Sequence, residues 1–452
     1  MLQTSIAGGK VVLDCCVYNA SGPRTGSIEA LQRIAGSKSG AVLSKSATLV
    51  RQDGNDLPRF VNKVALGGAY CDGSLNSEGL PNYGCEYCKH HSYFSSNPSL
   101  TLNFFLSTTD ISPGAVEKLA SGVTGKPYIV SLSGLSLADN LEMLTKVYNM
   151  EGISAIELNL ACPNIPGKPT VAYDFDQMEV VLKAVTAHPL FGKIPLGIKL
   201  APYFDIPHIQ RTTAIIVKYP GIQFVTAVNT IGNALFIDAA NECEAIKPKN
   251  GLGGLAGGFI KHTALANVRM LYSALLDAGR GDIDIIGVGG VKNGTDAFEL
   301  ILCGAKAVQV GTCHWTEGSS CFERIASELE AVMKDKGYNN IEEFRGRLKP
   351  YARPVGGKKV VPPLQASSES IGKVAPNTAS RRMLLFTCGL FIAVFFYTIA
   401  VFLLLLFAGQ HVGVVDMEKI VDAPSKLNEL MQSKIGFSIW RDGDGEGGGG
   451  GL

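Results

Sequence analysis

Short apolar runs separated by amphipathic or glycine-rich segments recur from residue 40 to about residue 312. Their spacing predicts strands at Ala41–Ser44, Tyr128–Leu132, Ala155–Leu160, Leu196–Leu200, Gln223–Val228, Asp284–Val288 and Ala307–Val310, with an eighth in the irregular stretch 61–82. Helical patterning falls at Asn140–Met150, Asp176–Ala187, His208–Val217, Ala264–Ala278, Thr295–Leu302 and Ser320–Lys336. Strands alternating with helices indicate parallel βαβ units. The strands are apolar almost throughout, as covering both faces of a sheet requires. Eight such units predict an α/β fold, a (β/α)8 barrel of the TIM type, with a doubly wound sheet as the rival. Polar residues mark the C-terminal ends of the runs: Lys45, Ser131, Asn159, Lys199, Asn229, Gly289 and Thr312. Barrel active sites assemble on that face, which favours the barrel.

A different pattern occupies the last quarter. Met383 to Ala408 carries no charged residue across 26 positions. At 1.5 Å per residue that is about 39 Å of helix, more than the roughly 30 Å hydrocarbon core of a bilayer. The segment is therefore expected to be a single transmembrane helix. Arg381 and Arg382 precede it and few basic residues follow closely, so the N-terminal part is expected on the cytoplasmic side, anchored to the membrane. Residues 1–350 would form the catalytic domain and 351–382, rich in Pro, Ser, Gly and Lys, a linker. Residues 409–452 read as a largely flexible tail, with an amphipathic stretch at Met417–Ser433 and a pure glycine run at Gly447–Gly451.

Composition adds limits. A net charge of +1 and the lack of a basic, aromatic-interleaved patch argue against a nucleic-acid partner. Eleven cysteines without a repeating framework suit a reducing compartment, and residues 1–20 show no secretory signal pattern. Cys85, Cys88, His90 and His91 have ligand-like spacing, but a lone CxxC is a weak metal signal, and no metal is expected.

The chemistry concentrates where the run Ile153 to Leu160 stops at Asn159, Cys162, Pro163, Asn164 and Pro166. A buried strand there enters a rigid loop holding one thiol between two amides. Other stations follow in order: Asn19-Ala20-Ser21-Gly22, which is expected to open the ordered part of the chain, Ser44-Lys45-Ser46, Asn76-Ser77-Glu78-Gly79-Leu80, Gly197-Ile198-Lys199, Val228-Asn229-Thr230, Gly251-Leu252-Gly253-Gly254, Gly287-Val288-Gly289-Gly290 and Val310-Gly311-Thr312. Most are weak alone. A glycine pair after a strand usually marks a tight turn, and most free cysteines are small buried hydrophobes.

In that order, and with Tyr173-Asp174-Phe175-Asp176 and the closing Glu342-Glu343-Phe344-Arg345-Gly346-Arg347, the stations resemble class 1A dihydroorotate dehydrogenases from about residue 10 to about residue 348. The resemblance implies oxidation of dihydroorotate to orotate in de novo pyrimidine biosynthesis, with FMN as cofactor and fumarate, reduced to succinate, as acceptor. Members of that class are usually cytosolic homodimers. Cys162 would be the catalytic base. Lys45, Asn76, Gly79, Leu80, Asn159, Asn164, Asn229 and Thr230 would hold the substrate. Ala20, Ser21, Lys45, Ser46, Asn159, Lys199, Val228, Gly254, Gly289, Gly290, Gly311 and Thr312 would hold FMN. A flat carboxylate-bearing ring needs amide donor and acceptor pairs and a cation, which these side chains supply.

Three departures stand out. Glu78 replaces the usual Met, so it either points to solvent or weakens substrate binding. Thr230 replaces Ser and keeps the hydroxyl. About 25 residues near 88–112 are additional. Two other readings compete: a membrane quinone as acceptor, and a flavin-free, membrane-tethered scaffold. The quinone-using relatives carry an N-terminal helical extension and a Ser base, which this sequence lacks. Intact Lys45, Lys199 and Cys162 argue against the scaffold.

Overall fold

The computed structural model describes residues 1–62, 73–85, 125–163 and 169–351. The chain divides into two units, Met1–Pro350 and Tyr351–Leu452, and the described residues belong to the first apart from Tyr351. Their strands are β1 (Thr4–Ile6), β2 (Val11–Leu13), β3 (Val17–Asn19), β4 (Val42–Leu43), β5 (Phe60–Asn62), β6 (Gly73–Asn76), β7 (Tyr128–Leu132) and β8 (Ala155–Asn159). Then follow β9 (Leu196–Leu200), β10 (Ile222–Ala227), β11 (Ile231–Leu235), β12 (Ile237–Asp238), β13 (Cys243–Glu244), β14 (Leu252–Gly257), β15 (Asp284–Val288) and β16 (Ala307–Val310).

Eight of them form one parallel sheet in the order β3-β16-β15-β10-β9-β8-β7-β4. The ring closes between β3 and β4 without a regular ladder. Gly40 N–H donates to Val17 O at 2.8 Å, and the Asn19 side chain bonds both backbone groups of Leu43. A Cβ at Gly40 would lie 1.7 Å from Cys15 O, so only glycine allows this approach. The barrel is the predicted architecture, but the eighth strand is β3 and not a segment of 61–82. That region instead supplies β5 and β6, which join β11 and β14 in a four-stranded antiparallel sheet. Three residues of β3 are too few to display periodicity, which explains the misplacement. Nor does order begin at Asn19: β1 and β2 form a hairpin before it.

That hairpin fills the barrel floor. Ile6, Ala7, Val11 and Leu13 pack with Tyr18, Leu43, Ile129, Phe224 and Ile286, all buried inside the ring. The larger core lies outside it, where the outward residues of the strands meet the helices. Leu137–Tyr148, Phe175–Thr186 and Ile206–Ile216 each start at a side-chain cap, from Ser136, Asp174 and Asp205. Helix Ile28–Ala35, absent from the sequence reading, is capped by Ser27 and packs near β4. The expected transmembrane helix, linker, tail and most of the insertion near 88–112 lie outside the described residues. Among the described residues no helix is long and apolar enough to cross a membrane.

Candidate functional site

The C-terminal ends of the barrel strands open into a cavity of about 450 Å³. Its wall brings together Ala20, Ser21, Lys45, Ser46, Asn76, Gly79, Leu80, Asn159, Cys162 and Lys199. Val228, Asn229, Thr230, Gly289, Gly290, Gly311 and Thr312 complete the set from the other side. Of the remaining expected residues, one, Gly254, is not in this wall. Asn164 lies outside the described residues, and Gly254 sits one strand back, where its carbonyl accepts from Asn76 Nδ2 at 3.2 Å. Ala256, Gly257 and Ile260, further along the same segment, take the place facing the cavity.

The amides and hydroxyls form a belt across the strand ends. Asn229 Nδ2 donates to Asn159 Oδ1 at 3.3 Å and to Ala161 O at 2.7 Å. Asn159 Nδ2 donates to Ser46 Oγ at 3.2 Å, and Ser46 Oγ lies 2.9 Å from Ser131 Oγ and 3.2 Å from Ser21 Oγ. Each amide is therefore fixed in orientation, and a ligand meets a preset pattern of donors and acceptors. Cys162 emerges half-buried beside this belt. Lys249 Nζ donates to the neighbouring Pro163 O at 2.9 Å and pins the loop from the opposite side.

Charge is arranged around the thiol. Burial pushes the Lys45 ammonium below its ordinary range, while the Glu78 and Cys162 charges pull it back up. Glu78 does not point to solvent. It lines the cavity, with its carboxylate 3.9 Å from Arg59 Nε. Lys199 is almost wholly buried and its ammonium makes no hydrogen bond to another described residue, so its donors remain for the cavity. At the far end, Gly289 and Gly290 have φ of 137° and 73°, conformations that favour glycine. A Cβ on Gly290 would fill the space 2.5 Å from Lys261 Cβ, and neither glycine amide is taken up by a backbone carbonyl. Paired open amides at a strand end form an anion cradle. These features fit a flavin phosphate at one end and an electron-rich ring beside Lys199 at the other.

Several cavity residues had not been singled out from the sequence. Arg24 stacks over Trp315 at 5.1 Å, and Phe60 meets Trp315 at 4.3 Å between centroids. Below the cavity, inside the ring, Glu157, Thr226, Gln309 and Tyr18 form a buried polar cluster. A signal for it existed: polar residues at alternate positions of otherwise apolar strands point inward together.

Comparison with known proteins places this arrangement. A family model described as dihydroorotate dehydrogenase matches residues 1–333. Dihydroorotate dehydrogenase A (fumarate) of Lactococcus lactis subsp. cremoris is 42% identical over 349 residues, 77% of this chain and 99% of its own length. Dihydroorotate dehydrogenase (fumarate) of Saccharomyces mikatae is 43% identical over 330 residues, 73% of this chain and 93% of its own. A crystal structure of Eimeria tenella DHODH in complex with ferulenol superposes with a TM-score of 0.56 at 19% identity, covering 76% of this chain and 88% of that one, a likeness of fold. The chain belongs to the dihydroorotate dehydrogenase family.

Proposed function

We propose that the chain oxidises dihydroorotate to orotate with FMN and fumarate. The observation that carries this reading is one cavity uniting Cys162, Lys45, Lys199 and the Asn159–Asn229 belt with the Gly289–Gly290 cradle. The names of the similar Lactococcus and Saccharomyces proteins support it.

Cys162 Sγ takes the C5 proton of dihydroorotate, and its loop, held by Lys249, keeps the thiol at the cavity mouth. Lys45 faces the substrate carboxylate, with backbone N–H groups of Gly79 and Leu80. Asn76, Asn159 and Asn229 hold the ring edge, and Thr230 offers a hydroxyl beside them. Ala20, Ser21, Ser46, Val228, Gly311 and Thr312 would frame the cofactor, and Gly289 and Gly290 would hold its phosphate. Bound FMN supplies the two-electron acceptor that takes the C6 hydride and is returned to its oxidised form by fumarate. Lys199 places positive charge where the cofactor gains negative charge.

The test is dihydroorotate-dependent bleaching of the flavin in purified full-length protein, then reoxidation by fumarate or by a soluble quinone. Bleaching with fumarate-driven recovery is expected. Protein that binds no flavin when supplied with excess FMN refutes the reading, and recovery with quinone alone refutes its acceptor.

The chain further acts as a homodimer tethered by residues 383–408, with the catalytic unit facing the cytoplasm. The uncharged segment and the preceding Arg381 and Arg382 support the tether. A chain ending at Lys349 should stay in the soluble fraction with full fumarate-coupled turnover while the full chain sediments with membranes. Loss of turnover on truncation would make the segment part of the electron path.

A further inference from the structure

Glu157 is a wholly buried carboxylate on the barrel axis. Oε2 accepts from Thr226 Oγ1 and from Gln309 Nε2, both at 2.8 Å. Gln309 Nε2 also reaches Tyr18 OH at 3.2 Å, and the negative charge helps burial keep that phenol protonated far above its ordinary range. Oε1 accepts no hydrogen bond and instead faces Lys199 Nζ at 4.0 Å.

This distance is informative. A buried carboxylate without a compensating cation costs several kcal/mol, so the pair has an electrostatic reason to exist. Yet Glu157 and Lys199 do not close to hydrogen-bonding contact. The two neutral donors hold the carboxylate by its other oxygen, on the neighbouring strand and two residues below the ammonium in register. Lys199 thus keeps its three donors for the cavity, while part of its field is cancelled from beneath. Asn159, two residues on from Glu157, pairs with Lys199 in the β8–β9 register, so both elements of the site hang on one strand pair.

We propose that Glu157 is a positioning residue that acts through Lys199: standing back from the ammonium, it leaves the three donors to the cavity and sets how much of their charge the cofactor feels. The carboxylate thereby sets the reduction potential of the bound flavin. The proposal rests on the cavity being the FMN site.

The experiment is a redox titration of the bound flavin. Glu157→Gln retains acceptor and shape but removes the charge, so the midpoint potential should become more positive. In a Lys199→Met background the same change should have little effect. An unchanged potential in Glu157→Gln overturns the proposal, and so does an equal shift in both backgrounds, which would mean direct action on the flavin. If Glu157→Gln does not accumulate as folded flavoprotein, Gln309→Met gives the second reading. It leaves Oε2 held by Thr226 alone, which loosens the carboxylate's grip away from Lys199 and lets it turn toward the ammonium, so the potential should become more negative; no change there overturns the proposal. Wild-type protein without flavin would refute the functional reading instead, and the two failures are distinguishable.

Discussion

The side chain of Asn19 stands in for a strand in closing the barrel on Leu43. Its Nδ2 donates to Leu43 O at 2.6 Å and its Oδ1 accepts from Leu43 N at 2.9 Å. Asn19 is fully buried, so no water can replace it. Asn19→Ala would leave a buried amide and a buried carbonyl unpaired, at about 1–3 kcal/mol each. A loss of about 2–6 kcal/mol in urea unfolding is expected, and Asn19→Asp should lose at least as much at neutral pH, because it sets a buried carboxylate oxygen against Leu43 O. Equal stability of Asn19→Ala and wild type would show that the seam is held elsewhere.

Cys162→Ala tests the base. Flavin should remain bound, because the cradle at Gly289 and Gly290 is across the cavity, while its reduction by dihydroorotate slows by roughly 10²- to 10⁴-fold. Cys162→Ser should recover part of the rate at high pH. Stopped-flow bleaching measures both, and a near-native rate in Cys162→Ala would assign proton removal to another group.

How much was legible beforehand follows from element length and from burial. Tyr128–Leu132, Leu196–Leu200, Asp284–Val288 and Ala307–Val310 match their predicted bounds because each is a run of four or five residues, mostly apolar, set off on at least one side by a Gly, Pro or polar neighbour. β3 and β4, of three and two residues, carry no such pattern, and their closure depends on a side chain. Cys162 and its amides were readable because polar residues end an apolar run. Glu157 lies inside the same apolar run, Ile153 to Leu160, where its role is invisible, since only the assembled ring shows Lys199, Thr226 and Gln309 converging on it.

Glu78 offers a test of charge in the substrate wall. Its carboxylate shares the cavity with Lys45 and is partly balanced by Arg59 at 3.9 Å. Glu78→Met should tighten orotate binding several-fold, about 1 kcal/mol, because a like charge is removed. The same change removes an influence that holds the Lys45 ammonium up, so binding should weaken at a lower pH on the alkaline side. Equilibrium titration with orotate across pH measures both effects. Weaker binding at neutral pH would mean Glu78 contacts the ligand favourably.

His314 gives the acid limb of stability a specific origin. Burial, with Arg24 and Arg33 nearby, lowers its pKa to about 4 from the ordinary 6.5. The unfolded chain takes up a proton below 6.5 that the folded protein refuses until about 4. Stability is therefore lost as pH falls through that window, by about 3 kcal/mol from this group. In urea unfolding at pH 7 and pH 4, His314→Gln should lose correspondingly less than wild type. Equal losses would place the acid sensitivity in other groups.

The belt from Asn229 through Asn159 to Ser46, Ser131 and Ser21 also constrains how this enzyme can change. Its members are neutral amides and hydroxyls, so the scaffold keeps its geometry while the thiol beside it gains and loses a proton. Each member answers to a neighbour on a different strand, and altering one leaves a donor or acceptor stranded. Libraries that vary these positions singly should yield losses, and new ring specificities should arise only from coupled replacements on adjacent strands.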